Sequence, residues 1–240
     1  MKRKVALVTG AGVRLGRAIA VRLARDGYDL VLHYHRSAEP ALETARLAQA
    51  EGARTELASA DLSLPGGAPD LAEKTCQVFD RLDLLVNNAA VFLPTPDLAG
   101  AAREWDRLMT VNLKSPFMLV VHLADRLRAN RGAIVNLTDI YADRPLRFHL
   151  PYCVSKAGLA MLTRMLAVEL APDVRTNAVA PGAAMLPSEA PPEYEQKLLS
   201  RIPLNRLGTA EDVADAVAFL AGSPYLNGHI LAVDGGRILT

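Results

Sequence analysis

The chain has 240 residues, half of them hydrophobic and 22 % charged, with 27 Lys and Arg against 26 Asp and Glu for a net charge of +1. That much apolar material excludes an intrinsically disordered chain, and the even charge balance removes the electrostatic reason to expect nucleic acid or an anionic membrane as partner. Two cysteines, Cys76 and Cys153, make no disulfide framework, and the basic start is followed only by the short apolar run Val5–Val8, so a reducing, cytoplasmic location is the expectation.

Short apolar runs alternate with longer periodic ones. Val5–Val8, Asp29–His35, Arg54–Ala60, Asp83–Asn88, Ala133–Leu137, Thr176–Ala180 and Ile230–Val233 are mostly apolar on both faces. That is the pattern of strands covered by helices on each side. Helical periodicity runs over Leu15–Arg25, Ala41–Glu51, Ala68–Arg81, Trp105–Asn130, Tyr152–Leu170 and Ala210–Ala221. Gly27 stops the first helix and Pro172 the fifth, while Thr209 before Glu211 and Asp212 is a capped, acidic start for the last. Regular alternation of strand and helix predicts a single-domain, doubly wound α/β sandwich built from right-handed crossovers. The Pro-rich stretch Pro181–Pro192 is the longest irregular segment and reads as a loop over a ligand rather than a linker.

The turn Thr9–Gly16, with Gly10, Arg14 and Leu15, follows the first strand and opens the first helix. Glycines there let backbone approach a pyrophosphate, and the helix start offers unpaired N–H groups to an anion; an ordinary tight turn is the alternative. The second strand ends in His33-Tyr34-His35-Arg36-Ser37, with no acid before Glu39. An acid at this point would bond the ribose 2′-OH of NAD. His35, Arg36 and Ser37 suit a 2′-phosphate instead, with Arg14 as a second cation, and so favour NADP(H). Asp61, followed by Leu62, either accepts from an adenine amino group or caps the next loop. Asn87 and Asn88, followed by Ala89 and Ala90, either stitch strands or touch the cofactor ribose.

Tyr152 and Lys156 stand at i and i+4, on one face of a helix. An ammonium beside a phenol is expected to lower the phenol's pKa and make it a proton donor or acceptor near neutrality. Asn112 interrupts an apolar helix, and Asp139 follows the fifth strand and Thr138. Strand ends at this edge bind ligands in open α/β sheets, and a carboxyl in an apolar pocket keeps its proton and becomes a general acid. Phe92, just beyond the same edge, is either core or a stacking platform for a flat ring. His122, His149 and His229 are spaced for no metal site, and Cys153 reads as a small packed residue.

Together these elements resemble the short-chain dehydrogenase/reductase family over essentially the whole chain. The resemblance is carried by Thr9–Gly16, Asn87-Asn88-Ala89, Asn112, Tyr152-x-x-x-Lys156, Pro181-Gly182 and Val233-Asp234-Gly235-Gly236. It implies a Rossmann-type sheet of seven parallel strands, NAD(P), a homo-oligomer with a tetramer favoured, and catalytic roles for Asn112, Tyr152 and Lys156. Gly10, Leu62, Asn88, Ala89, Ala90, Thr138, Pro181 and Gly182 fall with the cofactor in the same way.

Two departures from the family pattern, Arg14 for a glycine and Asp139 for a serine, are similar to the pteridine reductase branch. There Arg14 would contact pterin and cofactor phosphate, Phe92 would sandwich the pterin, and Asp139 and Tyr152 would be the proton-handling pair. Ala90 departs from that branch, which often has Ser. The implied activity is NADPH-dependent reduction of a dihydropterin, biopterin or dihydrofolate. A carbonyl reductase, such as a 3-oxoacyl thioester reductase, is the alternative, and a non-enzymatic NADP-binding protein is a third.

Overall fold

The computed structural model describes residues 3–183 and 192–240. Its centre is a seven-stranded, all-parallel sheet in the order β3-β2-β1-β4-β5-β6-β7. The strands are β1 (Lys4–Val8), β2 (Tyr28–Tyr34), β3 (Thr55–Ser59), β4 (Leu84–Asn87), β5 (Ala133–Leu137), β6 (Arg175–Pro181) and β7 (Ile230–Val233). Each differs from its sequence expectation by at most two residues at either end. In β1 successive side chains point to opposite faces, so Ala6 and Val8 join one apolar core while Val5 and Leu7 join the other. Burial on both faces is why these strands read as unbroken apolar runs.

The helices are α1 (Arg14–Arg25), α2 (Ala38–Ala50), α3 (Gly67–Val78), α4 (Leu98–Met109), α5 (Ser115–Ala129), α6 (Leu150–Glu169), α7 (Pro192–Leu199) and α8 (Ala210–Gly222). α1 and α8 pack on one face of the sheet; α3, α5 and α6 cover the other. Gly27, at φ +88°, ends the first crossover, and Thr209 and Asp212 form a reciprocal capping box at the start of α8.

Two expectations are corrected. The helix expected over Trp105–Asn130 begins earlier, at Leu98, and is divided by a single wide turn at Thr110–Lys114, in which the Ser115 N–H reaches back to the Thr110 carbonyl. Pro116 accounts for the break. It has no N–H to offer the Asn112 carbonyl, so regular hydrogen bonding cannot pass through this point. The irregular stretch expected through Pro192 gives way there to α7, whose start carries Pro192, Glu193 and Glu195, the proline and acids that favour a helix N-terminus. The rest of that stretch, 184–191, lies outside the described residues.

Strand order reverses between β1 and β4, so the loops leaving them diverge and open a crevice at the carboxyl edge.

Candidate active site

The crevice is a cleft of about 1750 Å³. Its walls include Gly10, Arg14, Leu15, His35, Arg36, Ser37, Asp61, Leu62, Asn88, Ala89 and Ala90 at one end. Phe92, Thr138, Asp139, Tyr152, Lys156, Pro181 and Gly182 line it as well. Asn87 and Asn112, both singled out from sequence, are not on the wall.

The turn after β1 is shaped from inside the sheet. Gly10 takes φ +65°, and a Cβ there would press on Ala89 and Asn88 at 3.1 Å. A Cβ on Gly16 would lie 2.0 Å from the Gly10 carbonyl, so only glycine lets the helix meet the turn. His33 of β2 is buried and accepts the Gly10 N–H at Nδ1, 3.1 Å away, while Nε2 lies 3.1 Å from the Ala60 carbonyl. Burial lowers its pKa to about 4, so the ring is neutral, with its proton on Nε2. Thr9 ties the turn to β4: its hydroxyl accepts from the Asn88 and Ala89 N–H groups, each at 2.9 Å. Sequence reading placed Thr9 at the start of the turn and His33 at the end of the second strand, with no role for either side chain.

α1 opens with no side-chain cap and no acid in its first turn, which leaves its N–H groups and its dipole directed at the cleft. Its first residue, Arg14, sits at φ +52°. A non-glycine residue held in this region costs about 1–2 kcal/mol, so the guanidinium is kept here at a conformational cost. At the rim, Asp61 does cap the next loop: its Oδ1 accepts from the Ser63 N–H (2.9 Å) and hydroxyl (2.6 Å), and its Oδ2 lies 3.3 Å from His35 Nε2. The Ser63 bonds, then the His35 and Arg36 charges, hold the Asp61 carboxyl below the usual range.

At the other end, the Tyr152 hydroxyl donates to Asp139 Oδ2 at 2.6 Å, and Asp139 Oδ1 accepts the Tyr141 N–H at 2.9 Å. Burial raises the Asp139 pKa above the ordinary carboxylate value, against the opposing pull of its hydrogen bonds and of Lys156 and Arg237. Burial, then the adjacent Asp139, push Tyr152 well above the usual phenol value. This corrects the expectation that Lys156 would lower it. Lys156 Nζ instead donates to the Leu137 carbonyl at 2.6 Å, and its own pKa is lowered to about 8 by burial. Phe92 is 58 % exposed, which excludes a place in the core. It stacks on His149 (centroids 4.7 Å, 17° between planes) and meets Tyr152 edge-on at 4.7 Å.

Asn112 lies behind this wall, 1 % exposed. Its side chain accepts from the Val91 N–H (2.8 Å) and donates to the Val91 carbonyl and the Ser155 hydroxyl, each at 3.0 Å. Ser155 in turn donates to the Tyr152 carbonyl at 2.7 Å. Asn112 thus fixes the strand exit that bears Phe92 and the helix turn that bears Tyr152, through a serine that carried no signal in the sequence. Asn87 is interior too: Asn87 donates to Asn136 (2.8 Å) and Asn136 to Thr163 (2.9 Å), a polar chain across β4, β5 and α6.

A family model described as enoyl-(acyl carrier protein) reductase matches residues 10–237. The chain belongs to the short-chain dehydrogenase/reductase family. Members of this family are oxidoreductases that use a nicotinamide cofactor. One relative of this short-chain dehydrogenase/reductase is a protein of Streptomyces violaceoruber named as a ketoacyl reductase of the granaticin polyketide synthase. It is 37 % identical over 98 % of this chain and 96 % of its own length. Pteridine reductase 1 of Leishmania tarentolae is 34 % identical over 98 % of this chain and 96 % of its own. The crystal structure of acetoin dehydrogenase from Enterobacter cloacae superposes with a TM-score of 0.89 at 34 % identity, covering 100 % of this chain and 96 % of that one. Among the described residues, no helix of this short-chain dehydrogenase/reductase is long and apolar enough to cross a membrane.

Proposed function

We propose that the protein is an NADPH-dependent pteridine reductase that reduces a dihydropterin, biopterin or dihydrofolate. The observation that carries this reading is the buried Asp139–Tyr152 pair at 2.6 Å beside the exposed ring of Phe92. A flat heterocycle stacked on Phe92 would lie against a carboxyl that burial keeps protonated more readily than usual.

The residues present fit the cofactor. The uncapped start of α1 and the glycines of its turn would receive the pyrophosphate. Arg36, Ser37 and His35, with Arg14 nearby, would hold the 2′-phosphate by charge-assisted hydrogen bonds. NADPH, when bound, supplies hydride to carbon of a C=N bond. The chain's own task is the proton. Tyr152 and Asp139 share a hydrogen bond whose proton can pass to a ring nitrogen in the cleft. The negative charge left on the pair is then offset by Lys156, an ammonium below its pKa of about 8. Asn112 is a positioning residue that acts through Ser155.

Reduction of a ketone is a second reading, favoured by the Tyr152–Lys156 pair and by the ketoacyl reductase relative. NADPH oxidation with dihydrofolate, dihydrobiopterin and an acetoacetyl thioester in parallel separates the two. Turnover of the thioester alone overturns the pteridine reading. The exposed apolar side chains Phe117 and Val121 of α5 and Met161, Met165 and Val168 of α6 support a homo-oligomer, with a tetramer favoured. Gel filtration with light scattering tests this, and a monomer would refute it.

A further inference from the structure

The cleft continues past Asp139 in a direction the proton chemistry does not use. Asp139 Oδ1 binds the Tyr141 N–H, the Tyr141 hydroxyl accepts from Arg237 Nη2 at 2.6 Å, and Arg237 and Arg201 both line the cleft. The Thr240 hydroxyl brings their backbones together: it lies 2.8 Å from the Arg201 carbonyl and 3.2 Å from the Arg237 carbonyl. Lys197, four residues before Arg201, also lines the cleft. Arg237, Arg201 and Lys197 are thus cleft-lining cations besides Arg14 and Arg36.

Nothing acidic answers them among the described residues. Arg237, Arg201 and Lys197 take part in no ion pair there. The carboxylate nearest Arg237 along the chain, Asp234, is already bonded to the backbone N–H groups of Gly236 (2.9 Å) and Ile238 (2.6 Å). Among the described residues that line the cleft the only acids are Asp139 and Asp61, and Asp61 is bonded to Ser63 and lies 3.3 Å from His35. Three cations lining one cleft, without an ion-pair partner among the described residues, favour an anion that joins them.

We infer that Arg237, Arg201 and Lys197 form an anion subsite for a carboxylate on the tail of the substrate. The inference rests on the pteridine reading and narrows it. A pterin whose tail ends in carboxylates, as dihydrofolate's glutamyl group does, meets opposite charge at these residues. One with a neutral hydroxylated side chain, as in dihydrobiopterin, gains no charge pairing there.

The test is kcat/KM for dihydrofolate and for dihydrobiopterin with the wild type, Arg201→Gln, Lys197→Gln and Arg201→Lys, each at low and high KCl. Arg201 and Lys197 are exposed, so the folded chain tolerates the changes. The wild type should prefer dihydrofolate, and KCl should raise its KM for dihydrofolate alone. Arg201→Gln should cut the ratio of the two kcat/KM values by roughly tenfold through KM, the size of one charge-assisted contact. Lys197→Gln should cut it less, and Arg201→Lys should restore most of the preference. Reduction of both pterins with a ratio that neither salt nor the variants move overturns the subsite and leaves the pteridine reading standing. Failure to reduce either pterin overturns both.

Discussion

His33 Nδ1 accepts the Gly10 N–H at 3.1 Å, so a buried imidazole on β2 holds the turn that opens the cleft. A protonated ring carries N–H on both nitrogens and can no longer accept. Burial sets the folded pKa near 4 against 6.5 for a free histidine. Between those values the unfolded chain binds the proton and the folded chain does not. Stability from this group is therefore complete above pH 6.5 and lost as pH falls towards 4, by about 3 kcal/mol in all. Urea unfolding at pH 7 and pH 4.5 should show a smaller acid loss in His33→Gln than in the wild type. Equal losses would remove His33 from the account.

Asp139→Asn keeps the shape of the proton pair and removes its acid. Dihydropterin turnover should fall by roughly 10²–10⁴-fold, the usual range for a general acid. Asp139→Ser should lose pterin reduction similarly while keeping or gaining activity on simple ketones through Tyr152 and Lys156. The measurement is kcat on both substrate types. Undiminished dihydropterin turnover in Asp139→Asn would make Asp139 a cap for the Tyr141 N–H and return the ketone reading to first place.

NADPH should bind at least ~10-fold more tightly than NADH, because a charge-assisted contact to the extra phosphate is worth roughly 1.5–3 kcal/mol. Arg36→Ala should close most of that gap without altering NADH affinity. Fluorescence titration of both cofactors against both proteins reads it directly, and a wild type indifferent to the phosphate would contradict the assignment of Arg36.

Phe92→Ala should weaken pterin binding roughly 3- to 10-fold, the worth of one aromatic stack, and leave NADPH affinity and thermal stability almost unchanged because the ring is largely exposed. A variant that melts early yet keeps its pterin affinity would identify Phe92 as a packing residue after all.

The sheet was legible because burial on both faces writes itself as plain apolar runs, and β5 and β7 match their expected limits. The wide turn at Thr110–Lys114 was harder to read. Its cause, Pro116, lies after the turn and inside an apolar stretch that hides it. Most residues expected at the site line the cleft, but Tyr141, Lys197, Arg201 and Arg237 line it with no motif to mark them. What also escaped was the layer behind: Thr9, His33 and Ser155 act through backbone groups brought close by the fold, so no spacing in the chain announces them. The direction of the Tyr152 pKa escaped for a related reason. Helical spacing put Lys156 near the phenol, but the Leu137 carbonyl claims its ammonium and Asp139 claims the hydroxyl.

The Asn87–Asn136–Thr163 chain works as a gauge set inside the molecule. β4 runs out into Asn88 and Ala89 at the dinucleotide turn, and α6 carries Tyr152 and Lys156. A turn of α6 by one residue would swing Thr163 about 100° away from Asn136 and strand a buried amide. The spacing between the turn and the proton pair is therefore held by interior amides that lie off the cleft wall. Substitutions around the rim can retune what the cleft accepts while that spacing stays as it is.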